Sequence, residues 1–268
     1  MATFSHQKKF GQNFLESPET IGAILDIAGV AKADTVIEVG PGHGALTFPL
    51  TERAGNVIAV EKDRELVAEL NRAIKERGIE NVSIVESDIR DIDFSQLVSE
   101  PFTLVGNIPY YLTSNLFRRV LEESPVHPKK IVFMIQKEVA ERIAEREPRE
   151  TLLSISVQVY GTPAVEMIVP RHLFSPPPEV DSAIISVSDI SRNLFREHGI
   201  SEQEFFSAVR AGFSQPRKLL SSNLSQQMNI PKEKIIEMLE SLAIKKEARA
   251  GELPVEAWFR IAKRITRS

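Results

Sequence analysis

The sequence predicts an α/β domain built on a mostly parallel sheet, with an antiparallel strand near its end, followed by a small C-terminal all-helical domain. Three observations carry this reading. Short β-branched runs alternate with helix-period segments through the first two-thirds of the chain, the pattern of strand–helix–strand units. A loop with three glycines joins the first of these runs to a helix-like segment. After about residue 189 apolar residues recur only at helical spacing, which places the expected domains at 1–188 and 189–268.

Taken in order, the chain opens on Lys8-Lys9-Phe10-Gly11-Gln12-Asn13-Phe14-Leu15, where two amides between phenylalanines suggest an arm anchored by its rings. Ile21, Ile24, Leu25, Ile27 and Ala28 mark a helix that Gly29 stops. Thr35 to Val39 is a first strand running into Gly40-Pro41-Gly42-His43-Gly44-Ala45, and Asn56 to Val60 a second, ending at Glu61. The helix Glu65 to Arg77 returns the chain to a third strand, Val82 to Glu86, followed by Ser87-Asp88-Ile89. Phe102 to Val105 is a fourth strand; it stops at Gly106 and delivers Asn107-Ile108-Pro109-Tyr110-Tyr111 ahead of an amphipathic segment from Asn115 to Leu121. Lys130 to Gln136 is a fifth, leading into a charged helix, while Leu152 to Tyr160 fits helix or strand equally. Val165 to Val169 and Ser182 to Val187 are two further strands, separated by a loop that Pro176, Pro177 and Pro178 stiffen behind Phe174. In the C-terminal part Phe205, Phe206, Val209 and Phe213 share one helix face. Arg217 and Lys218 open a basic segment, and Ile235, Ile236, Leu239 and Leu242 precede a last helix carrying Trp258 and Phe259.

Composition narrows the chemistry. With 268 residues, 42% hydrophobic and 26% charged, the chain is long enough for a large domain plus a small one. It has no cysteine, which excludes disulfides, thiolate zinc sites and every route through a cysteine nucleophile, and fits a reducing, cytoplasmic setting. The five histidines have no ligand spacing, so no metal is expected. The longest uncharged run, Leu152 to Val165, is interrupted by Ser154, Ser156 and Gln158 and is shorter than the ~20 apolar residues of a membrane helix, so a soluble protein is expected. The net charge of −4 hides an asymmetry: residues 1–190 carry an acidic excess and 191–268 a basic one. A polyanionic partner or plainly solvated helix faces would each account for it.

Candidate site residues gather where the predicted strands end. Bare backbone N–H groups in a glycine loop before a helix can approach a nucleotide closely. Gly40, Gly42 and Ala45 also satisfy the dinucleotide fingerprint, whereas Gly44 and the acidic Glu38 look more like the loop of S-adenosylmethionine enzymes. Glu61 would accept from ribose hydroxyls in either case, and Asp88 from an adenine amino group; both also suit helix capping. Asn107 offers a side-chain carbonyl, Ile108 a main-chain carbonyl ahead of Pro109, and Tyr110 a flat ring: a set suited to an exocyclic amino group on a base. The tetrapeptide Asn107-Ile108-Pro109-Tyr110 is similar to the motif of methyltransferases acting on amino nitrogens of adenine or cytosine.

Phe10 to Leu15, Glu38 to Gly44, Asn107 to Tyr110, Gln136-Lys137-Glu138-Val139-Ala140 and Phe174 to Pro178 together resemble the ribosomal RNA adenine dimethyltransferase family in order and spacing over nearly the whole chain, most closely its bacterial small-subunit members. The resemblance implies a Rossmann-like methyltransferase sheet and S-adenosyl-L-methionine as cofactor. It implies cofactor contacts at Asn13, Leu15, Gly40, Glu61, Asp88 and Asn107, to which the glycine loop adds Glu38, Gly42 and Gly44 as cofactor-binding candidates. Catalysis would lie at Asn107, Pro109, Tyr110 and Phe174, with the Tyr110 and Phe174 rings sandwiching a flipped adenine. The implied reaction is dimethylation at N6 of two adjacent adenines in a hairpin near the 3′ end of small-subunit (16S) rRNA, with a role in small-subunit biogenesis. Lys8, Lys9, Arg217 and Lys218 are the expected RNA contacts, on a chain expected to be monomeric. The chain departs from the family pattern at Glu179, where Lys is usual, and at Leu219 and Ser221, where polar or basic residues are usual. Three rivals stay in view: a large-subunit rRNA methyltransferase conferring antibiotic resistance, a nicotinamide-dependent oxidoreductase, and a non-catalytic ribosome-assembly protein.

Overall fold

The computed structural model describes residues 13–145 and 150–266. They fall into two compact units. One takes the chain up to Ala140 together with Ala164–Ser188; the other takes Glu141–Pro163 together with the chain from Asp189 onward. Lys8 and Lys9, and Phe10 to Gln12 of the aromatic arm, lie outside the described residues.

In the first unit β1 (Phe14–Leu15), α1 (Pro18–Ala28), β2 (Thr35–Val39), α2 (Thr47–Arg53), β3 (Asn56–Glu61), α3 (Arg64–Arg77) and β4 (Val82–Glu86) follow one another. A short α4 (Phe94–Leu97), β5 (Thr103–Asn107), α5 (Thr113–Arg118) and β6 (Lys130–Gln136) continue the alternation. After α6 (Lys137–Ala144) and α7 (Leu152–Gln158), β7 (Thr162–Val169), β8 (Phe174–Ser175) and β9 (Ser182–Ser188) complete the strands. Seven strands form one sheet in the order β4-β3-β2-β5-β6-β9-β7. Neighbours from β4 to β6 are parallel, and β9 runs antiparallel to β6. The mostly parallel sheet with its antiparallel strand is the architecture the sequence predicts.

The strand sequences explain this arrangement. Ile131, Val132, Phe133, Met134 and Ile135 are consecutive, and none is more than 1% exposed. A strand whose alternate side chains are all buried is covered on both faces, as parallel strands joined by crossover helices must be. Each such side chain contributes roughly 1.5–3 kcal/mol on leaving water. α1 supplies part of the cover. Ser17 accepts from the Thr20 N–H at 3.2 Å, Pro18 sits in the first turn, and Gly29 closes the helix at φ 62°. Ile24 and Leu25 then reach a core shared with Val36, Leu50, Val57, Val105 and Ile184.

Two expectations are corrected. β5 does not stop before Gly106 but runs through Gly106 to Asn107, because a residue without Cβ is what that position needs. A Cβ there would lie 2.7 Å from the Val39 carbonyl oxygen and 2.8 Å from Ile108 Cδ1. The second correction concerns residues 141–163, which group with the C-terminal helices and not with the sheet unit. The Tyr160 ring lies 5.4 Å from Phe195 and 6.1 Å from Phe206, its hydroxyl donates to Glu202, and the Glu150 N–H donates to the Gly251 carbonyl. The ambiguous stretch is helical where α7 spans it, capped by reciprocal bonds between Thr151 and Ser154.

The second unit is otherwise helical: α8 (Asn193–His198), α9 (Glu202–Gly212), α10 (Leu220–Met228), α11 (Lys232–Ser241) and α12 (Val255–Thr266). Phe195, Phe205 and Phe259 interlock with ring centroids 4.5–5.5 Å apart, and Trp258 is fully buried. Ser201 and Glu204 form a capping box at the start of α9. Among the described residues no helix is long and apolar enough to cross a membrane.

Candidate active site

The carboxyl ends of β2, β3, β4 and β5 open on one cleft, the position at which a doubly wound sheet takes ligands. β2 enters the glycine loop, where Gly40 (φ 66°) and Gly42 (φ 57°) occupy the left-handed region and line the cleft. A Cβ on Gly42 would come within 2.9 Å of the Phe14 ring. Gly44 does not line the cleft. Its left-handed turn is packed beneath Phe48 and Leu70, so its part is to shape the loop.

Glu38, inside β2, is 1% exposed, and its Oε2 has no hydrogen-bond partner among the described residues. Burial pushes its carboxyl up to about 7; the charge of Glu61 adds to the rise, and the neighbouring Thr47 hydroxyl offsets part of it. Glu38 and Leu15 face an adjoining cleft that shares Phe14, Gly40, Gly42 and Asn107 with the first.

Glu61 ends β3 at 4% exposure. Oε1 accepts from the N–H groups of Lys62 (2.8 Å) and Asp63 (2.9 Å), and Oε2 from that of Gly42 at 3.3 Å. Three backbone donors fix the carboxylate while Oε2 keeps capacity for a further donor. Asp88, after β4, is more heavily engaged. Arg90 donates to it from its main chain (3.0 Å) and twice from its guanidinium (3.0 and 2.7 Å), and Lys62 donates at 2.8 Å. These bonds, Arg90 foremost, hold the Asp88 carboxyl well below the usual carboxylate range against an opposing effect of burial. Four donors use its four lone-pair sites, so a ligand amino group bonding there has to displace a side chain.

Asn107 closes β5. Its Nδ2 donates to the Asn13 carbonyl oxygen at 2.8 Å, which orients the amide and leaves Oδ1 as an acceptor on a residue lining the cleft. Beyond Ile108 and Pro109, a 3₁₀ turn sends successive side chains in different directions. Tyr110 turns inward, its hydroxyl 3.1 Å from Ser182 Oγ, and burial raises its pKa. Leu112 is buried, and Tyr111 is left on the outside. Phe174 lines the cleft and is otherwise core, 4% exposed. The short ribbon of β1 on β8 places it, pairing Leu15 with Phe174 and Phe14 with Ser175.

Asn13, Gly40, Gly42, Glu61, Asp88, Asn107, Pro109, Tyr110 and Phe174 thus line one cleft, with Leu15 and Glu38 on its neighbour. Lys62, Ser87 and Ile89 also line it and are given no role from the sequence, while Tyr111 is read only as part of the stretch after Gly106. All four directly flank a residue that is given a role. Arg217 and Lys218 belong to the other unit, both exposed and neither in an ion pair among the described residues. Of the family departures, Glu179 is exposed, Leu219 half-buried, and Ser221 1% exposed with its hydroxyl unpartnered among the described residues, so Ser221 presents no surface to RNA.

The chain as a whole is similar to known rRNA methyltransferases. The ribosomal RNA adenine dimethylase family model matches residues 3–267. Ribosomal RNA small subunit methyltransferase A of Dehalococcoides mccartyi strain CBDB1 is 41% identical over 261 residues, covering 97% of this chain and 88% of that protein. Among solved structures, a dimethyladenosine transferase from Plasmodium falciparum superposes with a TM-score of 0.81 at 25% identity, over 95% of this chain and 98% of that one. The 23S rRNA methyltransferase ErmE superposes at 0.73 and 26% identity, over 95% of this chain and all of that one.

Proposed function

The chain belongs to the ribosomal RNA adenine dimethylase family, and on that premise we propose that it dimethylates N6 of two adjacent adenines in a hairpin near the 3′ end of small-subunit (16S) rRNA. It is an S-adenosylmethionine-dependent rRNA methyltransferase. The nicotinamide reading of Gly40, Gly42 and Ala45 is set aside with the family. The identity of 41% to a small-subunit methyltransferase favours the small subunit over the large one.

The residues present fit the cofactor. Its ammonium, sulfonium, ribose hydroxyls and adenine amino group are cationic or hydrogen-bond donating, and the cleft offers acceptors: Glu61, Asp88 and the unpartnered Oε2 of Glu38 next door. Glu61 holds the ribose, Asp88 takes the adenine amino group in place of one of its present side-chain donors, and Asn13, Leu15 and the bare backbone of Gly40 and Gly42 hold the remainder. When bound, S-adenosylmethionine supplies an electrophilic methyl group.

The single observation that carries the catalytic assignment is the Asn107 amide, locked by its bond to Asn13 with Oδ1 left over. Oδ1 and the Ile108 carbonyl accept the two hydrogens of the target amino group. This draws the nitrogen lone pair out of conjugation and aims it, so alignment contributes most of the rate. Tyr110 and Phe174 contact the faces of the flipped base, and the Tyr110 hydroxyl is tied to Ser182, which fixes its ring. Lys8, Lys9, Arg217 and Lys218 hold RNA phosphates without reading sequence. The protein acts in the cytoplasm, as a monomer, on the assembling small subunit.

Asn107→Ala tests the assignment. Single-turnover methylation at saturating RNA and cofactor should slow by roughly 10²–10³-fold, the effect of removing one aligned polar group, with RNA affinity nearly unchanged because phosphate contacts dominate it. A near-normal rate would remove Asn107 from the amino-acceptor role.

A further inference from the structure

Tyr111 has no part in the roles assigned so far, and its placement is unusual. It is 62% exposed, the most exposed large hydrophobic residue described, although its neighbours Tyr110 and Leu112 turn inward. A lone exposed aromatic carries no meaning by itself. This one lines the cleft that holds Asn107 and Tyr110. Its ring has no aromatic partner and its hydroxyl no hydrogen bond among the described residues, so nothing in the fold requires a tyrosine there. Two cations stand near the cleft: Lys62, which also lines it, and Arg90, whose guanidinium donates to Asp88 of the cleft lining at 3.0 and 2.7 Å. Both are tied to Asp88 and still substantially exposed.

We propose that Tyr111 is a stacking platform for the nucleobase next to the one that enters the cleft, with Lys62 and Arg90 facing the phosphates that join them. This rests on the reading of the cleft as a pocket for a flipped base. Extracting a base breaks its stacking with its neighbour, and a flat ring at the mouth returns that stacking to the neighbour left outside. Such a platform accepts any base by its π-face, while cations on the same rim engage the backbone without regard to sequence. Because Tyr110 and Tyr111 are adjacent in the chain, the two rings separate inside from outside over a single residue. For a substrate with two adjacent adenines, the second target would rest on Tyr111 while the first reacts.

Tyr111→Ala and Tyr111→Phe test this in single-turnover methylation of small-subunit RNA lacking the modification. The RNA is used intact and with an abasic nucleotide beside the target adenine. Tyr111→Ala should raise the half-saturating RNA concentration about tenfold, the size of one base–aromatic stack, with the rate at saturating RNA and the cofactor affinity within about threefold of wild type. Tyr111→Phe, which keeps the ring, should behave as wild type. The abasic RNA should cost the wild type a similar factor and the Tyr111→Ala protein no more than about twofold. An unchanged half-saturating concentration in Tyr111→Ala, a Phe variant as impaired as the Ala one, or abasic and Ala effects that multiply would each overturn the platform while leaving the methyltransferase reading intact. A wild type that methylates neither RNA would overturn both.

Discussion

Glu38→Gln should make the protein more stable and a poorer binder of its cofactor, and the stability gain should depend on pH. Glu38 is buried within β2 with Oε2 unpartnered, and its carboxyl is pushed from 4.5 up to about 7. The folded pKa lies above the unfolded one, so the folded protein holds this proton more tightly. The stability is therefore fully present below pH 4.5 and is lost as pH rises from 4.5 to 7. At about 1.4 kcal/mol per pKa unit, keeping this carboxylate ionised in the fold costs about 3 kcal/mol at pH 8. Glutamine has nearly the same shape and no charge to bury. Urea unfolding should find the variant more stable by about 3 kcal/mol at pH 8 and by under about 1 kcal/mol at pH 5. The same carboxylate shares a cleft with Gly40 and Gly42 of the glycine loop, so calorimetry at pH 8 should find S-adenosylmethionine bound more weakly by about 1.5–3 kcal/mol, the worth of a charged hydrogen bond. A stability difference equal at both pH values would refute the buried, uncompensated carboxylate. A gain in stability with unchanged cofactor affinity would confine Glu38 to the fold.

Other perturbations follow from the same geometry. Glu61→Ala should weaken S-adenosylmethionine binding by about 1–3 kcal/mol in calorimetry; unchanged affinity in a folded variant would take Glu61 out of the site. Gly42→Ala and Gly78→Ala form a matched pair, since both glycines have positive φ but only at Gly42 would a Cβ press on Phe14. Each should lose roughly 1–2 kcal/mol of stability from the backbone alone, and only Gly42→Ala should also weaken cofactor binding; equal binding by both would mean the loop does not contact the cofactor. Replacing Arg217 and Lys218 together by Ala should lower RNA affinity and flatten its log–log salt dependence by about one to two units, leaving cofactor affinity alone; an unchanged slope would return these residues to ordinary solvated surface.

Much of the sheet was legible because its strands are short, β-branched and bounded by turn residues. Thr35–Val39, Val82–Glu86 and Lys130–Gln136 stand where periodicity puts them. Gly106 misled because glycine ordinarily punctuates a strand, and only the approach of Val39 from the neighbouring strand shows why one belongs inside. The ribbon of Phe14–Leu15 on Phe174–Ser175 could not be read. Two residues have no periodicity, and the partners are far apart in the chain, yet this ribbon sets Phe14 over Gly42 and brings Phe174 to the cleft. Asn107 was legible as an acceptor from its residue type. That Asn13 takes its other end was not, since nothing local links the two. Asp88 was legible as a carboxylate at a strand end, but its engagement by Lys62 depends on the pairing of β3 with β4. Residues 141–163 join the helical unit through contacts of Tyr160 and Glu150 with residues far along the chain, which composition does not report.

The central claim is tested most directly by incubating the protein with methyl-labelled S-adenosylmethionine and, separately, small and large ribosomal subunits from cells lacking the modification, then mapping the label. The account predicts label on the small subunit only, recovered as N6,N6-dimethyladenosine at two adjacent positions near the 3′ end of the rRNA. Label in the large-subunit rRNA, or on any atom other than an adenine amino nitrogen, would contradict it.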